Sequence, residues 1–489
     1  MTILQRIKSA WRRMSQISVR GAGVNSLRND RIRPRDWSSL ADENINFILE
    51  NGLADMRQRS RHEAINNPNI DGAIRTFGLD MVGANGPSLR VESSKQSFNR
   101  AAQDLWSAWW QDGSPEIRGR LTGPAILRAL AAAQWTDGEF LVQFMLDSQA
   151  ASERPAFRLN MIDICRLDSP LGRAFDENVF MGLRLDEFHR TIGYFLHDSH
   201  IRQAGRVGLG NYREVPADDI CHYFEPIRLE QLRGLPLLQS ALIDAADLRD
   251  YEDQVLDAAR AAADASVVMY SDHPDAEYIE VNEMAEMQRR VMRTLPPGWK
   301  PYMVDPKQPA NNFSEYQRRM LSKIGRPACM PIVKLSLDSS DSNFSSVRFD
   351  GLGYWTAIAA TQGELSRCFL NRAFAGLIED GMRNPAIRLP ELPARGYRLQ
   401  WSWPRPPHVD PQKEAQWIVS LYANRLISYQ QAVDLANRGE ADYRSMIEAE
   451  KEIKTLLEEN DLPPLAPMLI HDVAPPRDRP ATVENSEGE

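Results

Sequence analysis

Gly234-Leu235-Pro236-Leu237-Leu238 opens a run that reaches about Ala265 without an internal Gly or Pro. Leu237, Leu238, Leu242, Ala245, Leu248, Val255, Leu256 and Ala259 recur along it at helical spacing, and Ala258 to Ala263 add strong helix formers. At 1.5 Å per residue the run predicts a rod about 45 Å long. A rod of that length in mid-chain spans something. Beyond it the pattern predicts a strand at Ser266 to Tyr270, a helix at Asn282 to Thr294, a turn at Pro296-Pro297-Gly298 and a strand at Tyr302 to Asp305. An insert of roughly 45 residues is too small to build its own core, so it is expected to lean on neighbours. A helix at Phe313 to Ile324 stops at Gly325-Arg326-Pro327. The aperiodic polar run Ser336 to Ser346 reads as a mobile loop, and a second long helix is expected from about Phe349 to Glu379.

Upstream, helical character runs from about Asp42 to Met81 and breaks at Val82-Gly83-Ala84-Asn85-Gly86-Pro87. Ser97 to Trp110 reads as a helix, and Gly123-Pro124 opens another with Ile126, Leu127, Leu130 and Ala131 on one face. Short β-rich runs follow at Glu139 to Leu146, Phe157 to Leu183, Phe180 to Leu185, Thr191 to Leu196 and Ile220 to Phe224. Residues 30 to 230 therefore read as an α+β body. Downstream, Pro390, Pro393 and Trp401-Ser402-Trp403-Pro404-Arg405-Pro406-Pro407 suggest a stiff connector. Asp410 to Asn460 suggests two or three helices, with Asp410-Pro411 as the start. The Pro- and acid-rich residues after Pro463 are expected to be a disordered tail.

The chain of 489 residues carries 58 Lys+Arg against 67 Asp+Glu, a net charge of −9, with 43% hydrophobic and 26% charged residues. That is an ordinary globular composition, with room for about three folding units. No stretch approaches the roughly 18 apolar residues of a bilayer helix, and Arg6, Lys8, Arg12 and Arg13 interrupt any leader-like apolar run, so folding in the cytosol is expected. Cys165, Cys221, Cys329 and Cys368 are far apart and form no C-x-x-C pair, as befits thiols in a reducing compartment. A protein that grips nucleic acid tightly shows a basic excess, so contact with DNA should be loose. The exception is residues 1 to 35, where Arg6, Lys8, Arg12, Arg13, Arg20, Arg28, Arg31, Arg33 and Arg35 face only Asp30. Ile3, Leu4, Ile7, Trp11 and Met14 give this basic arm either a short docking helix or a solvated leader.

Catalytic motifs are missing. There is no G-x-x-x-x-G-K-[ST], G-x-S-x-G or H-E-x-x-H, and Gly205, Gly208 and Gly210 suit a turn better than a dinucleotide loop. His189, His197, His200 and His222 near Cys221 are the one set that a metal could use, but isolated histidines beside Asp198 and Asp219 are more often solvated or hydrogen-bonded. Asp137 and Glu139, flanking Gly138, could form an acid/base pair, but they are expected at a turn at the start of a strand with their charges in water. Trp106, Trp109 and Trp110 could stack on bases, although helical spacing favours a core. No catalytic residue, metal ligand or cofactor is assigned.

Several segments, in order, resemble the portal proteins of tailed bacteriophages, lambda-type family. Arg57-x-x-x-Arg61, Asn66-Asn67 and Val82-Gly83 look like the opening helix and turn; Asp137-Gly138-Glu139-Phe140 resembles the N/D-G-E motif that starts a strand. His222-Tyr223-Phe224-Glu225-Pro226 with Gln231-x-Arg233-Gly234 is similar to the H-x-F-E-P…Q-x-R-G signature before the long helix. Pro296-Pro297-Gly298 stands where L-x-P-G would, and Asn343-Phe344-Ser345-Ser346-Val347-Arg348 resembles N-Y-S-S-x-R. Trp403-Pro404 and Asp410-Pro411-x-Lys413-Glu414-Ala415 resemble the closing block. Arg326-Pro327-Ala328-Cys329-Met330 departs from the usual G-V-P-Y before the loop.

The resemblance implies a helix-rich α+β subunit of a ring, usually a dodecamer, at a capsid vertex of the virion, assembled in host cytoplasm. Between the basic arm (1–35) and the tail (463–489), which the resemblance does not cover, it divides the chain into a wing (36–233), a first stem helix (234–265), a clip (266–312), a second stem helix (313–326), a tunnel-loop region (327–348), a wing helix with connector (349–409) and a crown (410–462). Asp338, Ser339, Ser340, Asp341, Ser342 and Asn343 would face DNA, with Lys334 and Arg348 touching phosphate or a neighbouring subunit. Glu283, Arg289, Arg290, Trp299 and Lys300 would meet the terminase large subunit and later the head-tail adaptor. Glu225, Pro226, Arg233, Gly234, Ser345, Ser346, Asp410, Pro411 and Lys413 carry the family motifs. Further expected partners are double-stranded DNA, major capsid protein and scaffold; no membrane is expected. Competing readings are a metal-dependent hydrolase using His197, His200 and His222, or another phage structural or adaptor protein.

Overall fold

The structure, a computed structural model, describes residues 44–112, 115–150, 153–167, 178–197, 212–263, 267–271, 299–303, 313–340, 342–405, 411–436 and 443–459. It mixes helix and sheet with helix dominant. Two units emerge, each built from separate stretches of chain: Met1–Thr76 with Ala132–Phe140 and Tyr223–Ala357, and Phe77–Ala131 with Leu141–His222 and Ile358–Glu489.

In the first unit the helix Ile45–Asn66 starts at Asn44, whose side chain accepts the Asn46 N–H at 2.8 Å. It ends at Asn67, in extended backbone, because the following proline disfavours helical geometry there. The helical stretch expected across Asp42 to Met81 is therefore two helices, the second being Pro68–Val82. The long central helix is also shorter than its sequence suggested. Pro236 is extended, Leu237–Ser240 forms a 3-10 turn, and the α-helix proper is Leu242–Ala263, about 33 Å long.

Antiparallel to it lies the helix Phe313–Gly325. Tyr251 stacks on Phe313 at 5.8 Å and meets Tyr316 at 4.6 Å, Gln317 Nε2 donates to Glu252 Oε1 at 2.8 Å, and Lys323 stands 3.7 Å from Asp244. The strands Val267–Ser271 and Trp299–Met303 pair antiparallel, Val267 opposite Met303. The second strand thus begins three residues before the expected Tyr302 to Asp305. The expected helix Asn282 to Thr294 lies outside the described residues.

The polar run is interrupted at both ends. Ile332–Ser336 is a short helix, and the next helix starts at Phe344 rather than Phe349 because Asn343 Oδ1 caps the Ser345 N–H at 3.1 Å. That helix, Phe344–Leu365, continues through a π-helical turn, Ser366–Leu370, into Asn371–Arg383.

The second unit is built around tryptophans. Trp106 stacks on Trp110 at 4.8 Å and meets Trp401 edge-on at 5.2 Å; Trp109 packs on Phe157 at 5.6 Å and donates its indole N–H to the Phe157 carbonyl at 3.2 Å. All three tryptophans of the trio are at most 4% exposed, so they form core and no base could stack on them. Trp401 belongs to a strand, Arg398–Ser402, paired antiparallel with Ser88–Glu92, where a stiff connector was expected. Val179–Phe180, Leu183–Leu185, Thr191–His197 and Tyr212–Pro216 make an antiparallel four-stranded sheet. A three-stranded sheet orders Phe157–Ile162, Glu139–Leu146 and Ile220–Phe224. Pro411–Ala423, Tyr429–Ala436 and Tyr443–Glu459 are helices, as the pattern after Asp410 predicts.

Candidate functional site

Glu139 reverses its expected placement. Its side chain is fully buried, and both carboxylate oxygens are engaged: Arg233 Nε donates to Oε1 at 3.0 Å and Oε2 at 3.1 Å, Arg233 Nη2 lies 2.9 Å from Oε1, and the Gly234 N–H reaches Oε2 at 2.9 Å. Arg57 Nη2 pairs with Oε1 as well, and its Nε donates to the Asp137 carbonyl at 3.4 Å. Arg61 pairs with Asp137 at 2.6 Å at the edge of the cluster. A carboxylate in water was expected because Gly138 marks a turn. The turn exists, with Gly138 at φ +78°, but it is pressed against the chain that leads into the long helix.

The approach explains both glycines. A Cβ on Gly138 would lie 2.0 Å from the Leu235 carbonyl carbon, and one on Gly234 would lie 2.2 Å from the Gly138 oxygen. The segment before the long helix is fixed further by Gln231, whose Oε1 accepts the Ile227 and Arg228 N–H groups at 3.0 and 3.3 Å while Nε2 donates to the Arg233 carbonyl at 2.7 Å. Asn46 adds bonds to the Glu230 carbonyl and the Leu232 N–H, and Tyr223 donates to Glu225 at 3.0 Å. Pro226 sits within this strap. Glu63, also buried, joins the first helix to Arg249 of the long helix at 2.5 Å. With both oxygens engaged by two guanidinium groups and a backbone N–H, the carboxylate serves as a buried counter-charge. The cluster is a clamp.

Past the helix Phe313–Gly325, the polar segment is built by its own side chains. Asp338 Oδ1 accepts the Ser340 N–H at 2.9 Å and the Ser340 hydroxyl at 2.6 Å, Ser342 N–H donates to the Ser339 carbonyl at 3.1 Å, and Leu337 is left-handed at φ +53°. The Ser340 hydroxyl first, and then its N–H, hold the Asp338 carboxyl below the ordinary carboxylate range. The segment thus presents an anion and hydroxyls to solvent. Lys334 stands over the Trp355 ring at 5.7 Å, and Arg348 is exposed on the helix that follows, as are Ser345 and Ser346. Asp341 lies outside the described residues.

The other predicted positions are scattered. Glu283, Arg289, Arg290 and Asp410 lie outside the described residues; Trp299 and Lys300 are in the Trp299–Met303 strand; Pro411 opens a helix on which Lys413 is exposed. His197 is buried, His222 packs edge-on against Tyr194 at 5.6 Å, and His200 lies outside the described residues. Among the described residues no three metal-capable side chains come together, and none of the helices is long and apolar enough to cross a membrane.

Comparison with known proteins agrees with the motif order. The family model described as phage portal protein, lambda family, matches residues 33–362. The probable portal protein of Halomonas phage phiHAP-1 is 25% identical over 313 residues, an alignment spanning 60% of this chain and 60% of the relative's length. Similar solved structures include the neck of an empty gene transfer agent particle, 14% identical with a TM-score of 0.49 over 79% of this chain and 94% of that one. An HK97-family phage portal protein from Corynebacterium diphtheriae is 12% identical, with a TM-score of 0.32 over 70% of this chain and 94% of that one. The clamp, the strap and the polar segment all fall inside the matched span, while Trp403 and Asp410-Pro411 lie beyond it. Matched across about two thirds of its length, the chain belongs to the lambda family of phage portal proteins.

Proposed function

We propose that copies of this chain close into a ring, a dodecamer, at one capsid vertex, where it nucleates assembly, admits double-stranded DNA driven by a separate ATPase and later releases it. Family membership carries this reading. The chain itself performs no chemistry in it: a channel subunit needs shape and charge. The antiparallel pair Leu242–Ala263 and Phe313–Gly325 is the stem, the strand pair beyond it the clip that meets the terminase large subunit and then the adaptor, and the three helices from Pro411 to Glu459 the crown. The body before Arg233 and the helix from Phe344 are wing, and capsid and scaffold proteins bind outside the channel.

Ring closure is supported by the helix Phe344–Leu365. It buries Tyr354, Ile358 and Leu365 yet leaves Phe349 75% and Leu352 62% exposed, and Leu337, twelve residues before Phe349, is 77% exposed. A helix with apolar residues around its circumference calls for cover on more than one side, and a neighbouring copy supplies it through a heterologous contact that closes by rotation. Residues 337–343 then form the tunnel loop, whose anionic Asp338 repels phosphate so that DNA slides without being held. Mass photometry of purified protein tests the assembly: particles at a fixed high multiple of the 55.5 kDa chain are expected, and a stable monomer at micromolar concentration contradicts the reading.

A further inference from the structure

Cys221 and Cys368, 147 positions apart, meet in the second unit. Cys221 lies in the strand Ile220–Phe224 and is 1% exposed; Cys368 lies half-buried in the π-helical turn Ser366–Leu370. The Cys221 thiol donates to the Cys368 carbonyl at 3.4 Å. The meeting is held from several sides. One helical turn on, Arg372 donates from Nη1 to the Ile220 carbonyl at 2.8 Å and from Nη2 to the Asp218 carbonyl at 2.6 Å, tying the helix to the 3-10 turn Ala217–Asp219 and to the strand that follows it. The Ser366 hydroxyl accepts from the Trp403 indole at 2.8 Å, and Asn371 accepts from the Trp401 indole at 2.8 Å, anchoring the π turn at both ends. A π turn re-aims the side chains it carries and is often placed at functional positions.

We propose that Cys221 and Cys368 form a modification site, a dithiol that closes into an intramolecular disulfide when the protein meets a low-molecular-weight disulfide. Cys368 is the attacking sulfur: it is the more exposed, and the hydrogen bond from Cys221, with Arg367 beside it, draws its thiol below the ordinary range, while the same bond and burial push Cys221 up. The Cys368 thiolate attacks one sulfur of the small disulfide, forming a mixed disulfide and expelling one small thiolate, which takes up a proton. Cys221 then loses its proton to solvent and attacks the Cys368 sulfur, expelling the second small thiolate, which is protonated in turn. Two protein thiols are oxidised and one small disulfide is reduced to two thiols. In a reducing compartment the pair stays open; in oxidising surroundings it staples strand to helix and restricts the unfolded chain over a long loop.

The test uses the full-length protein, reduced, freed of reductant and incubated with oxidised glutathione. Thiols are then titrated after denaturation, and proteolytic peptides are mapped without reduction. Two of the four thiols should disappear, with one cross-linked peptide pair containing Cys221 and Cys368, and dithiothreitol should restore all four. The oxidised protein should unfold a few degrees higher than the reduced one. Cys368→Ser, at the half-buried position, should keep its three thiols through the same treatment. Survival of all four thiols in the wild type, closure through Cys165 or Cys329 instead, or glutathione resting on Cys368 without closure would overturn the proposal.

Discussion

Arg233 and Glu139 face each other at 2.9 Å with neither side chain exposed, and through them two separate segments of the first unit are locked together. Removing the carboxylate leaves two buried guanidinium groups without their counter-charge. Glu139→Ala is expected to cost about 3–5 kcal/mol, read as a large fall in thermal midpoint or as loss of soluble protein. Arg61→Ala, which removes the part-exposed pair with Asp137, should cost about 1 kcal/mol or less. Equal losses in the two variants would contradict the clamp.

The two glycines of the crossing admit no side chain. Gly138→Ala and Gly234→Ala each place a methyl group against backbone, so neither variant should yield folded protein at wild-type level. Gly72→Ala, inside the helix Pro68–Val82 with nothing within 4 Å of the added carbon, should instead be neutral or stabilise by about 0.5–1 kcal/mol. Circular dichroism melts of the three variants separate these outcomes.

The elements legible in the sequence were those with a strong local period or a strong breaker. Phe313 to Ile324 was fixed by its apolar face and by Gly325-Arg326-Pro327 after it, and Gly123-Pro124 marked a helix start correctly. Boundaries failed where tertiary packing or a cap overrode the pattern: Leu237 and Leu238 look helical but follow a strap clamped at Gly234, and Asn343 starts a helix five residues earlier than the hydrophobic spacing shows. Glu139 was misplaced because a charge beside a turn glycine looks solvated; its buried partners, Arg57 and Arg233, lie 82 and 94 positions away. The contact of Cys221 with Cys368 had no sequence signal at all.

Asp338 should titrate below an ordinary aspartate. Because its pKa in the folded loop is depressed from 3.8, the bonded arrangement is fully favoured above that value and is lost as pH falls through the lower folded one. In Ser340→Ala the hydroxyl that contributes most is gone, and the Asp338 pKa should rise toward 3.8. Carboxyl carbon NMR with labelled aspartate measures it; identical titration in both proteins would refute the bond.

Phe349 and Leu352 should matter to assembly and not to folding. Phe349→Glu with Leu352→Glu adds two charges to exposed positions, so circular dichroism should be unchanged while particle mass falls toward the single chain. Full-size particles from this variant would show that another surface joins the copies.

An averaged electron-microscopy map down the symmetry axis tests the central claim most directly. The account predicts a closed ring with an open passage wide enough for a DNA duplex and residues 337–343 facing it. Single dispersed subunits, or a ring whose centre is filled by packed apolar side chains, would contradict it.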